Sequence, residues 1–312
     1  MIMMEKEAHQ PVLLNEVVEN LLTDLDGFYI DGTFGRGGHT RAILEKLSSK
    51  GNLLAYDKDN DAFQAGLKIT KQEARFNILH KGFENIYSSD FNNKKLKKPK
   101  GILLDLGLSS PQLDTASRGF SFMRNGQLDM RYDQNCDFSA YELINDYPEE
   151  KLFSIIREYG EEVNARLIAR KIVIERNKKK ITSTSQLAAL IQQTIRKKNN
   201  IHPATKTFQA IRIAVNDELS CIRIFLDKAI DLIDIGGRLA IISFHSLEDR
   251  IVKKFVYKHS TVPRVFLKLE KIPKEVEPKL RSVVKLIKPT SSEVLKNPRS
   301  RSARLRIVER IR

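Results

Sequence analysis

Between residues 28 and 105, short apolar runs alternate with stretches of helical period. "FYID" (28–31), "NLLAYD" (52–57), "FNILHKG" (76–82) and "GILLDLGL" (101–108) read as buried strands. Between them, "GHTRAILEKLSSKG" sets Ala42, Ile43, Leu47 and the Leu44 stem at helical spacing, with Gly51 placed as the stop, and "NDAFQAGLKIT" reads as the next helix. Strands separated by helices imply a parallel sheet covered on both faces.

From Ser109 to about Asp137 both periodicities stop, yet Phe120, Phe122, Leu128 and Met130 remain as large apolar anchors. An irregular stretch of that length is expected to be an ordered functional loop. Helices resume in "EEKLFSIIREYG", with Leu152, Ile155, Ile156 and Tyr159 on one face. In "STSQLAALIQQTIRKK" a capping box of Ser183 and Gln186 opens a stripe of Leu187, Leu190, Ile191 and Ile195. The stretch from Ala204 to Ile233 predicts one long helix or two, ended by Gly236 and Gly237. "RLAIISF" is again a buried-type strand, "SLEDRIVKKFVYK" a helix, and "SVVKLI" and "ARLRIV" two final strands. The expected architecture is an α/β sheet domain of residues 1–111 and 205–312, interrupted by an all-helical insertion at 112–204.

A length of 312 residues suffices for one large or two modest cores, and 41% hydrophobic with 30% charged residues describes an ordinary globular chain. No window reaches the eighteen or so apolar residues of a membrane span, and "MIMMEKEAHQP" lacks the apolar core and cleavage site of a secretory signal. Cys136 and Cys221 stand far apart, which suggests neither zinc nor a disulfide framework and fits reduced thiols in a cytosolic protein. The net charge of +15 changes the picture most, because it favours an anionic partner, nucleic acid first and an acidic membrane surface second. The surplus concentrates in "RLIARKIVIERNKKK" (166–180), in "IRKK" (195–198) and in the tail from Lys296 to Arg312, which carries seven basic residues against one acid.

Candidate chemistry begins at "YIDGTFGRGGHT" (29–40). A phosphate-binding P-loop needs Lys and Ser or Thr after its last glycine, and His39 and Thr40 stand there instead. The dinucleotide fingerprint lacks its third glycine, since Thr40 occupies that position. The template acid-x-G-x-G-x-G of Rossmann-like methyltransferases fits Asp31, Thr33, Gly35 and Gly37, with Thr in place of the first glycine. Its glycines let the methionine and ribose portions of S-adenosylmethionine lie against bare backbone. Taken alone, the motif reads equally as a structural tight turn. Asp57, at the end of the second strand, stands where a carboxylate accepts from both ribose hydroxyls, while Asp59 or Asn60 is the more natural helix N-cap. Phe83 is placed for an apolar contact near the adenine, and Asp105 lies at the mouth of the sheet.

Ser110-Pro111-Gln112 partly echoes the short polar-Pro motif of amino-group methyltransferases. An exocyclic amine needs acceptors that draw its protons aside and bias the nitrogen toward tetrahedral geometry. Ser109, Ser110 and the Pro111 carbonyl are the candidates, beside Asp105, and neither a metal nor a covalent nucleophile is required. Phe120 and Phe122 could clamp an extruded base, or could simply pack their loop. "SFHSLEDR" (243–250) holds Ser243, His245, Glu248 and Asp249, but without a G-x-S-x-G elbow or H-E-x-x-H its expected use is capping and loop hydrogen bonding. His202, before Pro203, reads first as turn and helix-entry chemistry. Two rivals to a methyltransferase follow from the same residues. An NAD-dependent oxidoreductase shares the sheet and Asp57 but has no locatable hydride-site acid–base pair. A non-catalytic RNA-binding assembly factor leaves Asp31, Asp57 and Asp105, at successive strand ends, unexplained.

The assembled motifs "HQPVLLNEVV", "YIDGTFGRGGHT", "GILLDLGLSSPQLD", "RGFSF", "LDMR", "YGEE", "HPATKTFQAIRIAVNDEL", "GGRLAIISFHSLEDRIVK" and "NPRSRSARLR" closely resemble, over nearly the whole chain, the MraW (RsmH) family of ribosomal RNA small-subunit methyltransferases. The resemblance implies a Rossmann-like class I methyltransferase fold and N4-methylation of a cytosine in the decoding region of 16S ribosomal RNA. It implies a late or complete small ribosomal subunit as substrate, in the cytoplasm. It implies S-adenosylmethionine contacts at Gly37, Gly38, His39, Asp57, Phe83, Asp105 and Gln112, to which the glycine turn adds Gly35. No metal is expected, no membrane partner, and a homodimer is compatible. The insertion and the basic tail are expected to grip RNA, with Lys206, Arg299 and Arg301 among the contacts. Three positions depart from the family's usual pattern: Gln127 for proline, Tyr132 for methionine, and Lys206 for arginine, a point charge in place of a bidentate fork.

Overall fold

The computed structural model describes residues 11–92, 96–195 and 202–312. The "MIMMEKEAHQ" run read for a leader and the basic residues of "IRKK" lie outside them. The chain separates into two compact units, one of residues up to 107 together with 219–312, the other of 108–218.

The first unit opens with α1 (Leu14–Leu21), β1 (Phe28–Asp31), α2 (Gly38–Lys46), β2 (Asn52–Asp57), α3 (Asn60–Thr70), β3 (Phe76–His80), α4 (Ser89–Asn92) and β4 (Gly101–Asp105). The second unit holds α5 (Ser110–Asp114), α6 (Ala140–Asp146), α7 (Glu149–Gly160), α8 (Ala165–Lys178), α9 (Thr184–Thr194) and α10 (Thr205–Asn216). The chain returns through α11 (Glu218–Leu232), β5 (Arg238–Ser243), α12 (Ser246–Ser260), β6 (Leu280–Ile287), α13 (Ser291–Lys296) and β7 (Arg304–Arg310).

The seven strands form one sheet in the order β3-β2-β1-β4-β5-β7-β6. The first five are parallel, and β7 runs antiparallel between β5 and β6. Successive strand residues face opposite sides. Tyr29, Leu53, Ala55, Leu103, Ala240 and Leu305 share one core with Val17 and Leu21 of α1 and Ile43 of α2. Their neighbours Ile30, Leu54, Ile102 and Leu104 are buried as well, so both faces are covered. Each such buried Leu or Ile contributes about 1.5–3 kcal/mol relative to exposure. That burial on both sides is why these strands read as continuous apolar runs rather than alternating ones.

Several boundaries differ from the expected ones. The helix after the glycine turn ends at Lys46, with Leu47 already extended, so Gly51 is not its stop. Asp217 adopts φ +48° and splits the long 204–233 run into α10 and α11. The helical unit is wider than 112–204, because Phe208 and Ile211 of α10 share its core with Leu152, Ile156, Ile168 and Leu187.

The 109–137 stretch is mostly irregular, and it is tied down from within its own unit. The Arg118 guanidinium donates to the carbonyls of Arg131 and Tyr132, and Gly126 and Thr184 exchange hydrogen bonds in both directions. Leu128, Met130 and Tyr132 are buried in that unit's core. The departure at Tyr132 is accommodated by stacking on Phe120 at 5.4 Å and by its hydroxyl, 3.3 Å from Glu218. Among the described residues, no helix is long and apolar enough to cross a membrane.

Candidate active site

The carboxyl ends of β1, β2 and β4 lie side by side, and each ends in an aspartate: Asp31, Asp57 and Asp105. The three have different work. Asp31 is 1% exposed and spends both oxygens locally, accepting from the Thr33 N–H at 3.1 Å and the Thr40 hydroxyl at 2.7 Å. Burial pushes its carboxyl above the usual carboxylate range, against the pull of the Thr40 hydroxyl. Asp31 therefore fastens the glycine turn to the start of α2.

The turn needs glycine at two points. Gly35 and Gly37 have φ +54° and +70°, the left-handed region that side chains resist. At Gly37 a Cβ would also stand 2.7 Å from the Phe34 ring. Threonine in place of the first glycine has its own use, since Thr33 Oγ1 accepts the Asp105 N–H at 2.6 Å and ties the ends of β1 and β4 together. Sequence reasoning missed Thr33 and Thr40 as site builders. The one available signal was a hydroxyl residue standing where the template has glycine.

Asp57 accepts from the Gly35 N–H at 2.7 Å through one oxygen and from the Asp59 N–H at 2.9 Å through the other. A carboxylate has about four acceptor positions, which leaves capacity for two ribose hydroxyls. Burial pushes Asp57 up to about 6, opposed by the N–H groups of Asp59 and Gly35 and reinforced by the charges of Asp59 and Asp31. Asp59 is the N-cap of α3, accepting from the Asp61 N–H. Phe83 is half-buried in a 3-10 turn after β3 and meets Phe225 edge-on at 6.0 Å.

His39 occupies the first turn of α2 and is 6% exposed, yet neither ring nitrogen has a hydrogen-bond partner among the described residues. Its Nε2 stands 3.5 Å from Asp105 Oδ2, and Asp105 Oδ1 is likewise buried and unpartnered. Orphaned buried polar atoms are costly in a finished protein. Here they sit beside the glycine turn and the N-terminus of α2, where a polar nucleoside ligand can be received.

In the helical unit, Ser109 and Gln112 form a capping box on α5, with the Gln112 side-chain oxygen accepting the Ser109 N–H at 2.9 Å. Ser110 is the first residue of that helix. The Pro111 carbonyl accepts the Thr115 N–H at 2.9 Å, which uses one of its two acceptor positions.

Phe120 and Phe122, candidates for a base clamp or for loop packing, both make packing contacts within the helical unit. Phe120 is 6% exposed within the helical core, and Phe122 stacks on His202 at 4.5 Å and meets Phe208 edge-on at 5.0 Å. Both rings pack their loop, the bland alternative. His202 also accepts the Ala204 N–H, in keeping with its helix-entry reading.

Lys206 donates to the Glu161 carbonyl at the end of α7. The basic tail is folded as a 3-10 turn followed by β7. Arg304 and Arg306 both bind the buried Asp249, Arg310 donates to the carbonyls of Ile230 and Ile233, and Arg312 pairs with Glu277. Arg299 and Arg301 lie exposed in the turn before β7. "SFHSLEDR" is used for capping, with His245 and Glu248 forming the box that opens α12.

A sheet of this order with its antiparallel β7, a glycine turn after β1 and a carboxylate ending β2 define a class I methyltransferase that uses S-adenosylmethionine. Asp57, the main chain of Gly35, Gly37 and Gly38, and the His39–Asp105 pair fit that group. The chain belongs to the MraW methylase family, whose sequence profile matches residues 6–311. It is 46% identical over 308 residues to the ribosomal RNA small subunit methyltransferase H of Coxiella burnetii, across 98% of this chain and 99% of the relative. Proteins of the same name from Nitrosococcus oceani and Acinetobacter baylyi are 44% and 45% identical, each over at least 97% of both chains.

Proposed function

We propose that this enzyme transfers a methyl group from S-adenosylmethionine to N4 of a cytosine in the decoding region of 16S ribosomal RNA, within the small ribosomal subunit and in the cytoplasm. The observation that carries the reading is the His39–Asp105 pair at the sheet mouth, where the two ring nitrogens and Asp105 Oδ1 are buried without a hydrogen-bond partner among the described residues, next to a glycine turn that offers bare main chain. The relatives' shared name and the +15 charge support a ribosomal RNA substrate, and the motif resemblance supplies the cytosine amine.

When bound, S-adenosylmethionine supplies an electrophilic methyl on a sulfonium. Asp57 would hold its ribose hydroxyls, the Gly35–Gly38 main chain would hold its methionine end, and Phe83 would lie against its adenine. Asp105 would accept from the amine and bias its lone pair toward the methyl. The donor would supply the methyl while its sulfur keeps the S–C electron pair, and the proton released by the amine would pass through Asp105 to solvent. Positioning supplies much of the acceleration. The helical unit, 108–218, is the proposed RNA-recognition domain.

The test gives the enzyme unmodified small subunits and isotopically labelled donor, then locates the label by mass spectrometry. Label on cytosine N4 is expected. Label on a cytosine carbon or a ribose oxygen would overturn the amine-orienting account.

A further inference from the structure

Among the described residues, most of the concentrated positive charge has a partner within the protein. On α8, Arg166 pairs with Glu150, Lys171 and Lys178 with Glu175, and Arg176 with the Ile144 carbonyl. The β7 arginines are spent on Asp249 and on main-chain carbonyls.

The outward face of α12 is different. Arg250, Lys253, Lys254, Tyr257 and Lys258 are all exposed, at the spacing that places them on one side of a helix. Lys253, Lys254 and Lys258 make no ion pair or hydrogen bond among the described residues. The helix's acids, Glu248 and Asp249, are buried. From Arg250 to Leu269 the chain carries six basic residues and no acid. Like charges four apart repel on a helix, so Lys254 with Lys258 opposes the fold that holds them. Tyr257, 64% exposed, stands among these charges as an aromatic surface on which a base can stack.

We propose that this face of α12 is an RNA-binding surface, gripping the phosphodiester backbone with Lys253, Lys254 and Lys258 and stacking an unpaired base on Tyr257. The inference rests on a ribosomal RNA substrate. It places a grip on the sheet unit itself, in addition to whatever the helical unit contributes. Lysines acting as point charges on phosphate carry no sequence information, so the surface supplies affinity and orientation rather than choice of nucleotide.

The test compares wild type with Lys253→Gln/Lys254→Gln/Lys258→Gln and with Tyr257→Ala. Binding to small subunits and to a naked 16S fragment is titrated over potassium chloride concentration, with methyl transfer to N4 measured in the same samples. Donor affinity and thermal midpoint report that the variants are folded. Neutralising three phosphate contacts lowers the slope of log affinity against log salt by about 2 for single-stranded RNA. The triple variant is expected to show that change on both ligands, a KM for subunits raised at least tenfold, and an unchanged kcat. Tyr257→Ala is expected to weaken binding without altering the slope.

Wild-type slope and KM in the triple variant overturn the inference while leaving N4 transfer intact. Weakened binding to subunits with unchanged binding to naked RNA assigns the face to an acidic protein and also overturns it. Absence of N4 transfer in wild type instead sinks the functional reading on which it rests.

Discussion

Asp57 accepts the Gly35 N–H at 2.7 Å, so the carboxylate assigned to the ribose also holds the glycine turn in place. One charge would thus serve both halves of the proposed cofactor seat. Burial raises that carboxyl to about 6. Ribose hydroxyls and the Gly35 N–H all favour the ionised form. Donor affinity is therefore expected to be full above pH 7 and to fall below pH 6, approaching tenfold per pH unit as the proton must be expelled on binding. Asp57→Asn should bind at least tenfold more weakly at pH 7.5 and lose this pH dependence. Calorimetry between pH 5 and pH 8 decides it, and a flat wild-type profile would remove Asp57 from the ribose.

His39 is the second test. Its buried nitrogens cost stability in the ligand-free protein, on the order of 1–3 kcal/mol for an unmet polar group. His39→Leu should then melt no lower than wild type without donor, yet lose at least tenfold in methyl transfer. A variant that melts several degrees lower while keeping full activity would make His39 an ordinary packing residue.

The Asp249 carboxylate is buried and meets two guanidiniums, Arg304 at 2.8 Å and Arg306 at 2.8 Å. Burial alone would raise its carboxyl, and the arginines hold it below its ordinary value instead. A group lowered in this way lends stability above the unfolded pKa and loses it as pH falls through the folded one. Asp249→Ala leaves two arginines facing a gap and is expected to cost on the order of 3 kcal/mol. Chemical denaturation at pH 7 measures it, and a loss below about 0.5 kcal/mol would mean the pair is ornamental.

Phe120→Ala discriminates packing from substrate clamping. A ring buried in the helical core should cost about 3–5 kcal/mol on truncation. Preserved stability with a selectively raised KM for subunits would restore the clamp.

The strands, the glycine turn and the caps were legible because each is written in a few adjacent residues. Asp59 capping α3, Ser183 with Gln186 on α9, and His245 with Glu248 on α12 all follow from local hydrogen-bond chemistry. Thr33 reaching Asp105 was not legible, because that bond joins residues 72 apart and exists only once β1 lies beside β4. Charge counting in the tail could not tell paired from unpaired arginines, for a related reason. Seven basic residues say nothing of the buried Asp249 that takes two of them. Phe120 and Phe122 were ambiguous because an aromatic in an irregular loop has no period to show which way it faces. The α10 boundary escaped because an apolar helical stripe fits a bundle and a sheet face equally well.

The strand order carries a consequence for biosynthesis. β6 reaches the rest of the sheet only through β7, which a ribosome makes later. Until β7 emerges, β5 presents an open edge of main-chain donors and acceptors, the kind of edge that recruits strands from other chains. A nascent polypeptide halted just short of Arg304 is thus exposed to aggregation at the moment when nearly all of its core-forming residues have already been synthesised.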